Sequence, residues 1–146
     1  IPYVSMYEST KMMVDYMSEH LSEKGINVVP FNVIEEDLGE LAMEIVQACT
    51  IVFGTSMVLA GPHPGIVTAA YLAGVLRPKT KAVGFIGSYG WGGVLTKKLE
   101  EVLSSIKCEK FEPVIVKGKP TADDLKKLDT LIDSIYEKHK SLGLVK

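Results

Sequence analysis

Apolar runs rich in Val and Ile alternate along the chain with longer stretches whose apolar residues recur every three or four positions. The short runs predict five strands, at residues 1–4, 26–33, 50–54, 81–87 and 111–116. The longer stretches predict five helices, at residues 9–24, 38–48 and 64–76, after the glycines at 92 and 93 as far as 106, and from 120 onward. The pattern is therefore a repeated strand–helix unit.

Three of the predicted strands, with the sequences TIVFG, KAVGFIG and FEPVIV, are apolar with little alternation. Strands of this kind are buried on both faces, as in parallel sheets covered by helices. We therefore expect an α/β fold with a doubly wound five-stranded parallel sheet and helices on both faces. In such sheets ligands bind at the carboxyl ends of the strands, which directs attention to the loops after strands one, three and four.

Composition narrows the class of protein further. With 146 residues, 47% of them apolar, the chain is long enough for one domain, and its net charge of −2 argues against nucleic acid as a partner. The longest nearly apolar run, residues 65–76, is too short to span a bilayer.

Cys49 and Cys108 have no metal-type spacing, which favours reduced thiols in a cytoplasmic protein. The chain begins at Ile1 without an initiator methionine, which suggests a C-terminal fragment of a longer protein or a free-standing relative.

The loop after the first strand, SMYEST, leads directly into a helix. The first amides of a helix have no internal partner and carry partial positive charge, so this turn offers N–H groups and the hydroxyls of Ser5, Ser9 and Thr10 to a phosphate. Ordinary helix capping by Ser9 explains the same residues. Both interpretations stay open at this stage.

The loop after the third strand carries four consecutive apolar residues, 57–60, and the loop after the fourth has four glycines and two aromatic residues within 87–93. The apolar loop could line a pocket for a flat ligand, contact a partner, or fold back on the core. The glycines favour tight turns or close approach of the backbone to a ligand, and two aromatic rings invite stacking. His63, which lies between two prolines, is more typical of a structural residue than of a ligand or acid.

At these loops the chain resembles the flavodoxin-like domain of flavodiiron proteins, also called A-type flavoproteins. The motifs that carry the resemblance are GSYGWGG, the preceding GVLRPKTKAVGF, and SMYEST. The resemblance covers essentially the whole chain. It implies a sheet order of 2-1-3-4-5 and non-covalent binding of FMN, with the phosphate in the first loop and the isoalloxazine ring between the other two.

The resemblance also implies which residues bind FMN. The phosphate would be held by the hydroxyls of Ser5, Ser9 and Thr10 and the amides of Met6, Tyr7 and Glu8. The ring would be bordered on one side by Ser88, Tyr89, Gly90, Trp91 and Gly92. On the other side it would be bordered by Thr55, Ser56, Met57, Val58, Leu59, Ala60 and Gly61. In this last loop the chain lacks the proline, the second hydroxyl and the asparagine that the family usually shows.

The implied function is an FMN-binding electron-transfer domain that passes electrons to a redox partner, such as the di-iron centre of a flavodiiron O2 or NO reductase. His20, His63 and His139 lie on separate elements, so this chain cannot build a di-iron centre of its own. Oxidoreductase activity would therefore belong only to a larger protein that contains such a centre. The partner would be a redox protein or an absent metallo-β-lactamase-like di-iron domain, and a homodimer or higher oligomer is possible. The altered residues 57–59 support an alternative, a flavodoxin-like module that has lost FMN binding and serves as a structural or interaction unit. No catalytic residue is expected in this chain.

Overall fold

The computed structural model describes residues 1–76 and 78–146, and within them it shows helices alternating with strands. The helices are α1 (Ser9–Glu23), α2 (Leu38–Gln47), α3 (Pro64–Leu76), α4 (Thr96–Val102) and α5 (Ala122–Ser141). The strands are β1 (Pro2–Tyr3), β2 (Phe31–Asn32), β3 (Thr50–Val58), β4 (Gly61–Pro62), β5 (Ala82–Tyr89), β6 (Glu109–Lys110) and β7 (Val114–Lys117). No helix in these two ranges is both long and apolar enough to cross a bilayer.

The sheet has the order β2-β1-β3-β5, with β6 and β7 both lying beside β5. All these pairings are parallel, and only the short β4 runs antiparallel to β3. If β6 and β7 are counted together as the fifth strand, the predicted doubly wound sheet of order 2-1-3-4-5 is confirmed. The switch in strand order falls between β1 and β3.

Helices cover both faces of the sheet. On one face α1 packs against α5, and on the other α2 packs against α3 and α3 against α4. Each layer buries its own apolar cluster. Met13 and Met17 of α1 meet Leu128 and Ile132 of α5 in the first, while the second is made by residues of α2, α3 and α4 with Phe53 and Phe85 of the sheet.

Several boundaries differ from the prediction for local reasons. The second strand shrinks to Phe31–Asn32 directly after Pro30, whose missing N–H cannot join a ladder. The fifth strand is split in two, with Pro113 in the break. Helix α4 spans Thr96–Val102, so it begins after the glycines and ends four residues before its predicted end at 106. Strand β3 runs four residues beyond its predicted end at Gly54, since its last residues pair with β4 in a hairpin.

Helix α5 begins with a capping box formed by Thr121 and Asp124. The Thr121 side chain accepts a hydrogen bond from the Asp124 amide at 3.3 Å, and the Asp124 carboxylate accepts from the Thr121 amide at 2.9 Å. The hydrogen bonds that the Asp124 carboxylate accepts from the amide and then from the hydroxyl of Thr121 hold its pKa below the usual value. The capping box satisfies two amides that would otherwise lack partners at the helix end.

Gly87 on β5 lies where the sheet leaves no room for a side chain. A Cβ at this position would stand 2.6 Å from the Thr55 carbonyl oxygen and 3.0 Å from the Leu95 side chain. Gly90 has no atom within 4 Å of such a Cβ, and its φ lies outside the left-handed region. Gly87→Ala should therefore lower the free energy of unfolding by ~1–3 kcal/mol through overpacking, measured by denaturant titration.

The matched control is Gly90→Ala, which should change the unfolding free energy by less than about 0.5 kcal/mol. Equal effects of the two substitutions would contradict the packing assigned to Gly87.

His139 of α5 is a buried titratable side chain whose Nε2 lies 2.9 Å from Thr50 Oγ1 of β3. Burial lowers its pKa below the usual 6.5, so the unfolded chain binds this proton more readily than the folded one. Stability should therefore be lost as the pH falls through 6.5 towards the lower folded-state pKa. In His139→Gln the unfolding free energy should depend less steeply on pH in this window, measured by urea titration at several pH values. A profile as steep as that of the wild type would contradict a role for His139.

Candidate functional site

Three loops meet at the carboxyl edge of the central strands. Strands β3 and β5 are paired as far as Ser56 opposite Ser88, so the segments that follow the two strands leave the sheet side by side. Strand β1 lies on the other side of β3, where the Val4 amide donates to the Gly54 carbonyl at 2.9 Å. The loops that follow β1, β3 and β5 therefore share one edge, as the sequence predicts.

The loop after β1 presents a set of free backbone donors. The Met6 amide donates to Ser56 Oγ at 3.2 Å, and the Lys11 amide donates to Ser5 Oγ at 3.1 Å. Between them, the amides of residues 7–10 have no acceptor within the part of the chain that the structure describes. Four consecutive amides at the positive end of α1 are the groups that bind a phosphate in proteins.

Glu8 has a backbone conformation that side chains rarely adopt. Its φ is 65° and its ψ is −12°, which places it in the left-handed region directly before α1. Its side chain is exposed and makes no capping hydrogen bond. The position therefore matters for the path of the backbone, and the carboxylate is directed to solvent.

Beneath the loop, three hydroxyl groups join the three segments. Thr10 Oγ1 lies 3.0 Å from Ser88 Oγ and 3.3 Å from Ser56 Oγ, and Thr10 is fully buried. Ser56 also accepts the amide of Met6. We refer to Thr10, Ser56 and Ser88 as the hydroxyl cluster. The cluster ties the start of α1 to the ends of β3 and β5.

The resemblance implies that each of these residues contacts FMN, Thr10 at the phosphate and Ser56 and Ser88 at the ring. It gives no indication that the three hydroxyl groups contact one another. The signal that could have found the cluster was the register, because two serines at the ends of adjacent parallel strands lie next to each other in the sheet.

The loop after β3 is a tight hairpin with a strained tip. Met57 pairs with Pro62 and Val58 with Gly61, so the turn consists of Leu59 and Ala60 alone. Their φ values are 47° and 65°, where Asn-Gly is the usual choice. Leu59 is 99% exposed, so this large apolar side chain projects into solvent at the edge of the site. Strain of this kind in a non-glycine residue is common at ligand-binding sites.

At the base of this hairpin, Thr55 and His63 have structural roles. Thr55 Oγ1 accepts the His63 amide at 3.0 Å and donates to the Ser56 carbonyl at 2.9 Å. His63 Nδ1 in turn accepts the Gly65 amide at 3.0 Å at the start of α3. The structural interpretation of His63 therefore agrees with the geometry.

The glycines of the loop after β5 serve two purposes. A Cβ on Gly93 would stand 2.8 Å from both the Ala60 carbonyl oxygen and the Met57 sulphur, so this glycine lets the loop touch the β3–β4 hairpin. A Cβ on Gly90 or Gly92 would meet nothing within 4 Å. Trp91 between them is 88% exposed, so it does not pin α4 to the sheet. An open backbone beside an exposed indole leaves space for a flat ligand.

Charge is sparse around this edge. Within residues 5–10, 55–63 and 87–93 the only carboxylate is that of Glu8, and there is no Lys or Arg. Lys11 follows the first loop, where its ammonium donates to Asp15 at 2.7 Å, and this hydrogen bond raises the pKa of Lys11. The donors available to an anion are therefore the amides of residues 7–10 and not a cluster of cations.

The structure places the predicted site residues in two groups. Residues at the surface of this edge are Met6, Tyr7, Glu8, Leu59, Ala60, Gly90, Trp91 and Gly92, with Ser5, Ser9, Met57, Val58, Gly61 and Tyr89 half-buried. Thr10, Thr55, Ser56 and Ser88 are buried beneath them. The surface of this edge thus carries both the free amides of the first loop and the exposed apolar side chains of Met6, Tyr7, Leu59 and Trp91.

The chain is similar to known proteins in sequence and in fold. The chain is 32% identical over 135 residues to the rubredoxin-oxygen oxidoreductase of Megalodesulfovibrio gigas, in an alignment that covers 91% of this chain and 33% of that protein. The solved structure of the rubredoxin oxygen:oxidoreductase from Desulfovibrio gigas matches with a TM-score of 0.89 at 29% identity, covering 96% of this chain and 35% of that one. The chain is a homologue of the flavodoxin-like domain of flavodiiron proteins.

The fold of this flavodoxin-like domain also matches the flavodiiron core of Flv1 from Synechocystis, with a TM-score of 0.87 at 23% identity over 97% of this chain and 35% of that one. No protein-family model matches the chain. The chain spans about a third of the length of the curated relatives it matches. The resemblance read from GSYGWGG and SMYEST is therefore confirmed for the domain.

In the flavodoxin-like domain, the left-handed conformation of Glu8 predicts that glycine is preferred at this position. Glu8→Gly removes a strain of about 1 kcal/mol or more but adds freedom to the unfolded chain. The unfolding free energy should rise by roughly 0.5 kcal/mol, or at least not fall, in denaturant titration.

Ser9→Gly is the matched control, because Ser9 is the first residue of α1 and does not have a positive φ. It should destabilise the protein by up to about 1 kcal/mol. A loss of stability in Glu8→Gly as large as that in Ser9→Gly would contradict strain at position 8.

Proposed function

We propose that this chain is an FMN-binding electron-transfer domain. The observation that carries the proposal is the row of four free amides at residues 7–10, at the same edge of the sheet as two loops that expose apolar side chains. The homology of the chain supports the same function, since the names of its relatives include diflavin flavoprotein and flavorubredoxin.

The residues present fit the two parts of FMN. A phosphate dianion needs several donors and few competing charges, and the amides of residues 7–10 supply donors that the protein leaves free. A flat aromatic ring system needs apolar surface and open space, which Trp91, Leu59 and the unfilled positions at Gly90 and Gly92 supply. The exposed carboxylate of Glu8 can stay in solvent while its amide faces the phosphate.

The protein's contribution to electron transfer is positioning. FMN supplies the redox chemistry when bound, because its ring system takes up and releases electrons. The hydroxyl cluster holds the start of α1 against the ends of β3 and β5, so the phosphate loop and the two ring loops keep a fixed spacing. Contact between Gly93 and the β3–β4 hairpin fixes the ring loops relative to each other.

The domain would act on a protein partner. The relatives it matches are about three times longer, and their names include a rubredoxin-oxygen oxidoreductase and a nitric oxide reductase. We propose by analogy that electrons pass to a redox partner, such as the di-iron centre of a flavodiiron O2 or NO reductase. The free thiols of Cys49 and Cys108 suit a reducing compartment such as the cytoplasm.

The proposal predicts that FMN binds and that its phosphate contributes most of the specificity. Titration of the purified chain with FMN should quench flavin fluorescence, whereas riboflavin, which lacks the phosphate, should bind at least about tenfold more weakly. Replacing an exposed aromatic side chain at the ring site, in Trp91→Ala, should weaken FMN binding by roughly tenfold through lost stacking.

Tyr71→Ala is the control for this substitution, because Tyr71 is an aromatic side chain with 66% exposure that lies on α3 and away from the site. It should leave FMN affinity unchanged. A chain that stays colourless after incubation with FMN would instead support the alternative, a module without cofactor.

A further inference from the structure

A cavity of about 480 Å³ lies at the amino edge of the sheet, opposite the edge that carries the candidate site. Residues 25–29 border it on one side and residues 47–52 on the other, with Ile1 between them. Apolar side chains of both helical layers line it: Leu21, Ile26 and Ile135 from the first layer, and Phe31, Leu41 and Ile45 from the second.

The cavity occupies the place of a stretch of strand. In the sheet β1 lies between β2 and β3, and Tyr3 pairs with Gly54. Counted back from this pair, Ile1 stands opposite Val52, so the first two residues of β3 extend past it. On the other side the Ile1 amino group donates to the Val29 carbonyl at 2.8 Å, and the segment before Val29 extends past it. The two flanking segments are therefore separated by the width of one strand.

The edge of β3 that faces the cavity carries unpaired backbone groups. The Val4 amide donates to the Gly54 carbonyl at 2.9 Å, and the Ser56 amide donates to the Val4 carbonyl at 3.2 Å. The even-numbered residues of β3 therefore direct their backbone groups towards β1. Because β1 does not reach them, the Val52 amide and the Thr50 carbonyl have no partner in the part of the chain that the structure describes. Val52 is 3% exposed, and an unpaired amide in a buried residue is unfavourable.

The segment before β2 carries a second unpaired set. The Phe31 amide donates to the Ile1 carbonyl at 2.8 Å, and the Ile1 amino group donates to the Val29 carbonyl. The Val29 amide and the Asn27 carbonyl would continue this ladder, and neither has a partner among the described residues. Burial lowers the pKa of the Ile1 amino group to about 5, so a neutral amide suits this position better than an ammonium group.

We infer that the cavity is a binding site for an extended polypeptide segment joined to the amino group of Ile1, which continues β1 between the two flanking segments. The carbonyl of the residue next to Ile1 accepts the Val52 amide, and its own amide donates to the Thr50 carbonyl. The residue before that one pairs in the same way with the Val29 amide and the Asn27 carbonyl. Two residues in strand conformation therefore satisfy all four groups.

The lining of the cavity determines which side chains the segment carries. Successive residues of a strand point to opposite faces, so one residue contacts the first helical layer and the next contacts the second. Both layers present apolar side chains here, which favours β-branched apolar residues at both positions, as in a strand that is buried on both faces. The candidate site lies at the other edge of the sheet, so this binding does not depend on the proposed cofactor.

Two extended chains test the inference, one with Ser-Lys-Val-Val and one with Ser-Lys-Asp-Asp placed before Ile1. In the Val-Val chain, hydrogen exchange of the Val52 and Val29 amides, measured by NMR, should be at least about tenfold slower than in the chain that begins at Ile1. The urea midpoint of unfolding should also rise. The Asp-Asp chain is the matched control, because burying its carboxylates in an apolar cavity is unfavourable, and it should show neither change.

The peptide Ser-Lys-Val-Val added in trans should leave both amides unprotected, and protection by it would contradict the need for a bond to Ile1. A Val-Val chain whose Val52 and Val29 amides exchange as fast as those of the chain that begins at Ile1 overturns the proposal. Protection in that shorter chain that increases with protein concentration would assign the cavity to a second copy, which also overturns it. Each of these results leaves FMN binding unaffected.

Discussion

The parallel pairing of β3 with β5 is the constraint on which the rest of the molecule depends. Seven consecutive residue pairs, from Thr50 opposite Ala82 to Ser56 opposite Ser88, fix where both strands end. Because both strands are buried on both faces, a shift of one residue would exchange the side chains that face the two helical layers. Gly87 secures this register further, since only a residue without a side chain fits opposite the Thr55 carbonyl. The position of the loops at the site follows from the register.

The fold was predictable because its signals are local and strong. Uninterrupted apolar runs and helical periodicity indicated the alternation of strands and helices, and the resemblance to the flavodoxin-like domain implied the order of the strands in the sheet. The errors in the strand boundaries fell where proline interrupted a favourable pattern, at Pro30 and at Pro113. There a single missing N–H outweighed the apolar pattern around it.

The sequence indicated which loops form the candidate site, but not which side chains contact each other there. Residue types and the resemblance indicated which three segments take part, and the structure brings those segments to one edge. Periodicity carries no information about hydroxyl groups 46 and 78 residues apart, so the bonds of Thr10 to Ser56 and Ser88 could only come from the folded chain. Backbone strain at Leu59 and Ala60 was equally invisible, because the residues themselves give no turn signal.

The hydroxyl cluster also determines when the site can exist. Its three members come from the start of α1 and from the ends of β3 and β5, so their bonds form only after the central sheet has assembled from distant parts of the chain. Contacts of such sequence separation are slow to form and are absent from fragments of the fold. The loop after β1 is therefore ordered late, and a nascent chain emerging from the ribosome cannot form the proposed cofactor site until residues beyond Ser88 are available.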